Sequence, residues 1–193
     1  MSKRILLLAA AALLLSSYAG VASAQATPTP TPTPGFSIAG VYQINYYSNA
    51  PSSPDGTVRI INPSGGNLCA LIYVTDKDQE LRECCGCTLS DRSMRILSVN
   101  NDLTSNPANG RPSSDGSVAI VSSASTNCDG KAPKPTPELA AFETHPLGGT
   151  FLTEEEFTPE PLNKAEIQNL ASQCSAIELV GSGTGICTCG IGD

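Results

Sequence analysis

The chain has 193 residues, of which 11 are basic and 18 acidic, so its formal net charge at pH 7 is −7. An acidic chain repels phosphate backbones and anionic lipid surfaces, and no Lys/Arg cluster is present. Composition therefore excludes nucleic acid as an expected partner. Hydrophobic residues make up 40% of the chain, which is enough for one domain with a hydrophobic core.

The N-terminus has the organisation of a secretory signal peptide, predicted over residues 1–24. Lys3 and Arg4 precede the apolar run Ile5–Leu15, and the small-x-small sequence ASA then ends at Ala24. The apolar run is shorter than the roughly 20 residues that a membrane-spanning helix needs. We therefore predict a secreted protein, located outside the cell, at the cell surface or in the periplasm, without a membrane span after cleavage.

Residues 25–35 are predicted to form a Thr/Pro-rich linker. Its centre reads TPTPTPTP, and alternating proline favours an extended polyproline II conformation because it fixes φ and removes backbone donors. Two interpretations remain open at this point, an O-glycosylated stalk and a disordered spacer. A single disulfide-stabilised, β-rich domain is predicted over the rest of the chain, residues 36–193.

The predicted domain consists of short apolar runs separated by turn residues. The run LCALIYV, 68–74, is apolar on both faces, so we predict a central strand that is covered on both sides. The other predicted strands alternate or follow an Asp-Gly turn, and they lie at 42–47, 55–61, 94–99, 117–123 and 139–144. The fold class that follows is mainly β and sandwich-like, and the alternative is α+β.

Two acidic clusters are candidates for weak calcium binding. The sequence DKDQE sets Asp76, Asp78 and Glu80 at alternate positions, like the opening of an EF-hand loop. That loop needs Gly at position 6 and Glu at position 12, where this chain has Leu81 and Cys87. The three carboxylates therefore remain weak metal candidates, and the second cluster, TEEEFTPEP at 153–161, is predicted to be a solvated loop.

The eight cysteines are the strongest signal in the sequence. They are Cys69, Cys84, Cys85, Cys87, Cys128, Cys174, Cys187 and Cys189. An even number in an exported chain predicts disulfides, although the CxxC within RECCGCTLSD also occurs in zinc sites and redox enzymes. Adjacent cysteines cannot pair without strain. If the three cysteines of CCGC all pair outward, the two that remain pair with each other, which gives four bridges.

One amphipathic helix is predicted near the C-terminus, at about 164–180. Asn163 is the expected N-cap, and Glu166 three residues later completes a capping-box pattern. Apolar residues then recur every three or four positions and form one stripe, namely Ile167, Leu170, Ala171, Cys174 and Ile177. The stripe predicts that this helix packs on the sheet, on the second apolar face of the 68–74 strand.

The sequence offers little catalytic chemistry. Its only histidine is His145, and no GxSxG motif is present. We therefore predict no catalytic residue, no cofactor and, on balance, no enzymatic activity. The first alternative is a secreted hydrolase of unknown substrate that depends on a metal or on carboxylates, and any imidazole-based form of it would have to use His145. The second is an exported metal-binding or redox protein that uses CCGC with CTC.

Three segments, LCALIYVTDKDQELRECCGCTLS, ILSVNNDLTSNP and GSGTGICTCG, resemble uncharacterised secreted bacterial proteins that share a CCGC block and a C-terminal CTC. That group has no assigned activity, so the resemblance implies an exported, cysteine-stapled protein and transfers no site residue. The function predicted is a non-enzymatic module with a structural, adhesive or assembly role. Candidate partners are a second copy, another surface protein or a polysaccharide, and one version forms filaments when strand 36–47 joins a neighbour's sheet edge.

Overall fold

The computed structural model describes residues 38–48, 54–124, 128–136, 139–147, 151–179 and 183–190. The predictions of a signal peptide at 1–24 and a linker at 25–35 lie outside these residues. Within the described ranges, no helix combines the length and the apolar composition needed to cross a membrane.

The described residues form nine strands, one π-helical turn at Val99–Leu103 and one α-helix. The strands are β1 (Ile38–Ser48), β2 (Thr57–Ile61), β3 (Leu68–Asp76), β4 (Leu81–Leu89), β5 (Met94–Ser98), β6 (Asp115–Ser123), β7 (Ala140–Leu147), β8 (Phe151–Glu156) and β9 (Thr158–Asn163). The helix is α1 (Lys164–Leu179). The predicted fold class, mainly β with one helix on the sheet, is confirmed.

The strands form two antiparallel sheets. The five-stranded sheet has the order β4-β3-β6-β1-β9, and the four-stranded sheet has the order β5-β2-β7-β8. Strand β1 lies between β6 and β9, with Tyr42 opposite Val121 on one side and Glu160 on the other. The N-terminal strand is therefore an interior strand of its own sheet.

Two hydrophobic clusters lie on the two faces of the five-stranded sheet. The first joins the two sheets, because it contains Ala70 and Ile72 of β3 together with Val58 and Ile60 of β2. The second lies on the opposite face and brings Leu71 and Tyr73 of β3 together with Ile177 of α1. Alternate side chains of a strand point to opposite faces, so β3 contributes to both clusters. The prediction of a strand covered on both sides is confirmed.

The helix begins and packs as its sequence predicts. The backbone N–H of Asn163 donates to Glu166 Oε2 at 2.9 Å, and that of Glu166 donates to Asn163 Oδ1 at 3.0 Å, which completes the capping box. Cys174 is fully buried, and Ile167 and Leu170 pack beside it. The stripe therefore faces the sheet, and the helix forms a third layer over it.

Three strands were not predicted. Strand β4 contains the CCGC segment, and β8 and β9 cover most of the acidic stretch that the sequence predicted to be a loop. Glu154, Glu155 and Glu156 are exposed as expected, but they lie on an edge strand that pairs with β7. Phe157 is buried and donates its N–H to Ala141 O at 2.9 Å. Burial of this one aromatic ring, which joins the two sheets, outweighs the low strand propensity of Glu and Pro around it.

Candidate functional site

Strand β4 distributes its cysteines to both faces of the sheet. Alternation along the strand places Cys84 in the helix-side cluster and sends Cys85 and Cys87 to the cluster between the sheets. Four bridges result, and the three cysteines of CCGC all pair outward. The pairs are Cys84–Cys174, Cys85–Cys187, Cys87–Cys189 and Cys69–Cys128, with Cα–Cα distances of 5.2–5.8 Å.

The segment 183–190 runs along the free edge of β4. The N–H of Cys84 donates to Gly185 O at 2.9 Å, and Cys84 and Ile186 form a parallel β-bridge. Further along the segment, Arg95 of β5 donates from Nη1 to Cys189 O at 2.9 Å. The segment therefore covers the edge of the five-stranded sheet and connects it to the edge of the four-stranded sheet.

Gly86 allows the Cys69–Cys128 bridge to lie close to β4. A Cβ atom at this position would come within 1.8 Å of Cys128 O, a distance that no side chain can occupy. The 128–136 segment therefore packs directly on the backbone of β4, and Tyr73 supports it by donating its hydroxyl to Gly130 O at 2.8 Å. The glycine within CCGC has a packing role.

The bridges decide what chemistry the cysteines can perform. Sulfur atoms of Cys85, Cys87 and Cys189 lie within 4.8 Å of one another, a spacing that could hold a metal ion. All three belong to disulfides, however, and no described cysteine is free. Zinc binds thiolates, so in this oxidised form the cluster is a structural crosslink.

The acidic cluster at 76–80 forms the turn between β3 and β4. Asp76 accepts the backbone N–H groups of Asp78 at 2.9 Å and Glu80 at 3.0 Å, and it accepts Arg82 Nε at 2.5 Å. Burial alone would raise the pKa of Asp76, but these hydrogen bonds and the guanidinium outweigh it and lower the pKa. Asp76 is therefore occupied by its own hairpin, and Glu80 also pairs with Arg82.

A second cluster of polar side chains lies between the sheets where β7 faces β1. Glu143 of β7 is 0% exposed, and neither of its carboxylate oxygens has a hydrogen-bond partner among the described residues. His145, two residues further on, is 4% exposed, and within the same part of the chain both of its ring nitrogens also lack partners. Buried polar groups are almost always hydrogen-bonded. Two buried side chains without such bonds, two positions apart on one strand, therefore mark a candidate functional site.

Two residues define the mouth of this site. The ring of Tyr46 on β1 stacks on the imidazole of His145, with a centroid distance of 4.1 Å and an interplanar angle of 9°. Glu155 of β8 lies opposite Glu143 in the register, and its Oε2 is 3.9 Å from Nε2 of His145. Tyr46 and the side chain of Glu155 are more than half exposed. His145 therefore lies between the buried interior of the domain and the solvent.

The electrostatic environment keeps the buried pair uncharged at neutral pH. Burial, with a smaller contribution from the nearby charge of Glu155, raises the pKa of Glu143 to about 9. Burial also lowers the pKa of His145, and Glu155 opposes that shift. A protonated carboxyl can donate a hydrogen bond and a neutral imidazole can accept one, so the pair can bind a polar ligand or a cation.

Comparison of the chain with protein-family models, with curated proteins and with solved structures found no match. Sequence reasoning singled out His145 but missed Glu143. The available signal was the alternation in AAFETHPL, where Ala141, Glu143 and His145 share one face of a strand and the first of them is apolar.

Two pockets elsewhere are shallow. One, of about 180 Å³, lies between α1 and the five-stranded sheet and is lined in part by Tyr42, Ile44 and Leu170. The other, of about 450 Å³, opens beside Tyr47 and Asp76 at the ends of β1 and β3. Neither pocket is lined by Glu143 or His145.

Proposed function

We propose that the protein is an exported, non-enzymatic module that binds another macromolecule at the cell surface and has a structural or adhesive role there. The observation that carries this proposal is the outer face of the four-stranded sheet. Met94 and Ile96 of β5 point out from this face, and each is 50% exposed. Exposed apolar side chains grouped on one surface are typical of a binding site.

The pairing of the strands extends this face beyond β5. Ile61 of β2 lies opposite Met94 and Ala140. In the next row on this face Arg59 of β2 lies between Ile96 and Phe142, and its guanidinium pairs with Glu154 at 2.9 Å. Ile61 and Phe142 are partly exposed. The term apolar face is used for five residues of this surface, namely Met94, Ile96, Ile61, Ala140 and Phe142. Its strand backbones hold the side chains rigidly, so binding would cost little ordering entropy.

The disulfides support a role outside the cell. Structural disulfides persist in oxidising compartments, and here they attach α1 and the 183–190 segment to a single strand. A domain held together in this way keeps its shape under conditions that unfold uncrosslinked domains of similar size. Such durability suits a protein that functions at the cell surface.

Binding through a face is better supported than assembly through strand edges. Pro159 and Pro161 lie on edge strand β9, Glu154 to Glu156 lie on edge strand β8, and the edge of β4 carries the 183–190 segment. Proline and charge on an edge oppose the pairing of further strands. Filament formation by strand 36–47 would also require β1 to leave its place between β6 and β9.

The test is binding of the purified mature chain to cells of the producing strain from which its gene has been deleted. Fluorescently labelled wild type should bind in a saturable manner, and Met94→Lys/Ile96→Lys should bind at least about tenfold more weakly, because lysine cannot be desolvated in an apolar interface. Gln168→Lys/Ser172→Lys, on the exposed side of α1, is a control with the same added charge. No saturable binding by the wild type would refute the proposal.

A further inference from the structure

The buried atoms of Glu143 and His145 require a partner. An unpaired buried polar group is unfavourable because it has lost its hydrogen bonds to water without replacement. Four such atoms, two carboxylate oxygens and two ring nitrogens, occur within three residues of β7. Among the described residues these four atoms have no protein partner, and they point to a ligand that fits between Glu143 and His145.

The pairing of β7 with β8 places Glu143, His145 and Glu155 close to one another. Residues two apart on a strand point to the same side, so Glu143 and His145 face the same interior space. Residues directly opposite in an antiparallel pair have Cβ atoms about 4.5–5.5 Å apart, which brings Glu155 beside Glu143. The chain thus places two carboxylates and its only imidazole on neighbouring positions of one sheet face.

We propose that Glu143, His145 and Glu155 bind one divalent transition-metal ion, with Zn²⁺ as the best match. Imidazole nitrogen and carboxylate oxygen are established zinc ligands, and binding of the ion would displace the proton that the buried Glu143 carboxyl carries at neutral pH. The Asn45 amide lies on the facing strand, but its Oδ1 accepts the backbone N–H of Tyr46 at 2.8 Å, so Asn45 is not one of the proposed ligands. An imidazole in the ligand set disfavours Ca²⁺ and Mg²⁺, which prefer oxygen.

The site needs a small rearrangement to close around an ion. Oε2 of Glu155 is 3.9 Å from Nε2 of His145, but the ligand atoms of the three residues do not all lie within 4.8 Å of one another. The Glu155 side chain is 60% exposed, so it can rotate toward the imidazole at little cost. Tyr46 fixes the plane of the imidazole by stacking on it.

The test is Zn²⁺ binding to the tag-free mature chain, after EDTA treatment and with its four disulfides verified by intact mass. Because the chain has one histidine, the side-chain ¹H–¹⁵N spectrum reports on His145 alone. We expect one Zn²⁺ per chain by titration calorimetry, a shift of the ring nitrogen signals at the same stoichiometry, and no effect of Ca²⁺ at equal concentration.

Three variants locate the ion. Glu155→Gln and His145→Ala each remove a proposed ligand and should weaken binding by more than tenfold, the lower limit for loss of a supporting partner at a metal site. Glu155 is at the surface, so Glu155→Gln cannot fail merely because the domain unfolds. Glu156→Gln, its exposed neighbour on the opposite face of β8, removes the same charge and should bind like the wild type.

Either of two results overturns the proposal. If wild type binds no Zn²⁺ at concentrations up to about 1 mM, which is the weakest affinity of extracellular calcium modules, the buried polar groups are met by water alone. If Zn²⁺ binds but the His145 signals do not move, or if Glu156→Gln weakens binding as much as Glu155→Gln does, the ion lies on surface carboxylates and the assigned site is wrong.

Discussion

Replacement of Glu83 by glutamine should change the way in which stability depends on pH. Glu83 of β4 is 0% exposed, and its Oε1 accepts the backbone N–H of Asn106 at 2.8 Å, while Oε2 has no partner. Burial raises the pKa of Glu83 to about 7, although the hydrogen bond from Asn106 opposes the shift. Glutamine keeps the acceptor oxygen and cannot ionise.

The sign and size of the effect follow from proton linkage. Below pH 4.5, the ordinary value for a glutamate, Glu83 is protonated in both the folded and the unfolded chain. Between that value and about pH 7 the unfolded chain loses the proton while the folded chain keeps it, so the free energy of unfolding falls by about 1.4 kcal/mol per pH unit. The stability that protonated Glu83 contributes at low pH is therefore lost by neutral pH. The free energy of unfolding falls by roughly 3 kcal/mol in total over this range.

The assay is urea unfolding of wild type and Glu83→Gln at half-unit steps from pH 4.5 to 8, with the disulfides intact and EDTA present. Other titrating groups are common to both proteins, so the difference between the two curves isolates Glu83. We expect the variant to gain stability relative to wild type as pH rises, with the change complete near pH 7. Parallel curves across this range would refute the reasoning.

Three further substitutions test the packing around β4. Cys84→Ser/Cys174→Ser should lower the free energy of unfolding by about 2–4 kcal/mol. It should also speed amide hydrogen exchange in α1, measured by mass spectrometry, and unchanged exchange would show that the bridge does not hold the helix. Gly86→Ala should lower the melting temperature by several degrees, because the new methyl group meets Cys128 O; wild-type melting would contradict the close approach. Asp76→Asn should lower the free energy of unfolding in urea at pH 7 by about 1–3 kcal/mol, because it weakens the hydrogen bond from Arg82. The difference between the two proteins should shrink in acid, where the wild-type carboxyl is protonated.

The features that depend on neighbouring residues could be predicted from the sequence. The helix was correctly placed because its cap and its stripe involve residues three or four positions apart, as Asn163 and Glu166 show. Strand β3 was correctly predicted because a short run that is apolar on both faces is typical of a strand buried between two layers. The four bridges followed from the strain of an adjacent pair and from an even count, although the individual partners did not.

The features that depend on distant residues were missed. Strand β4 carries Arg82, Glu83 and a glycine, so its propensity is low, and only pairing with β3 makes it a strand. Strands β8 and β9 exist because Phe157 is buried between the sheets. The site at Glu143 was missed for a related reason: whether a carboxyl on a strand points inward depends on the register with β2 and β8, and that register is not written in the local sequence.

The positions of the bridges determine when the domain can be locked. A chain that emerges N-terminus first presents Cys69, Cys84, Cys85 and Cys87 to oxidants long before Cys174, Cys187 and Cys189. During that interval only Cys69 gains its native partner, Cys128. Early formation of the β3–β4 hairpin would turn Cys84 to the face opposite Cys85 and Cys87 and so oppose its incorrect pairing with either of them. Final crosslinking is thus a late event, and a chain truncated before Cys174 would leave three thiols open to exchange.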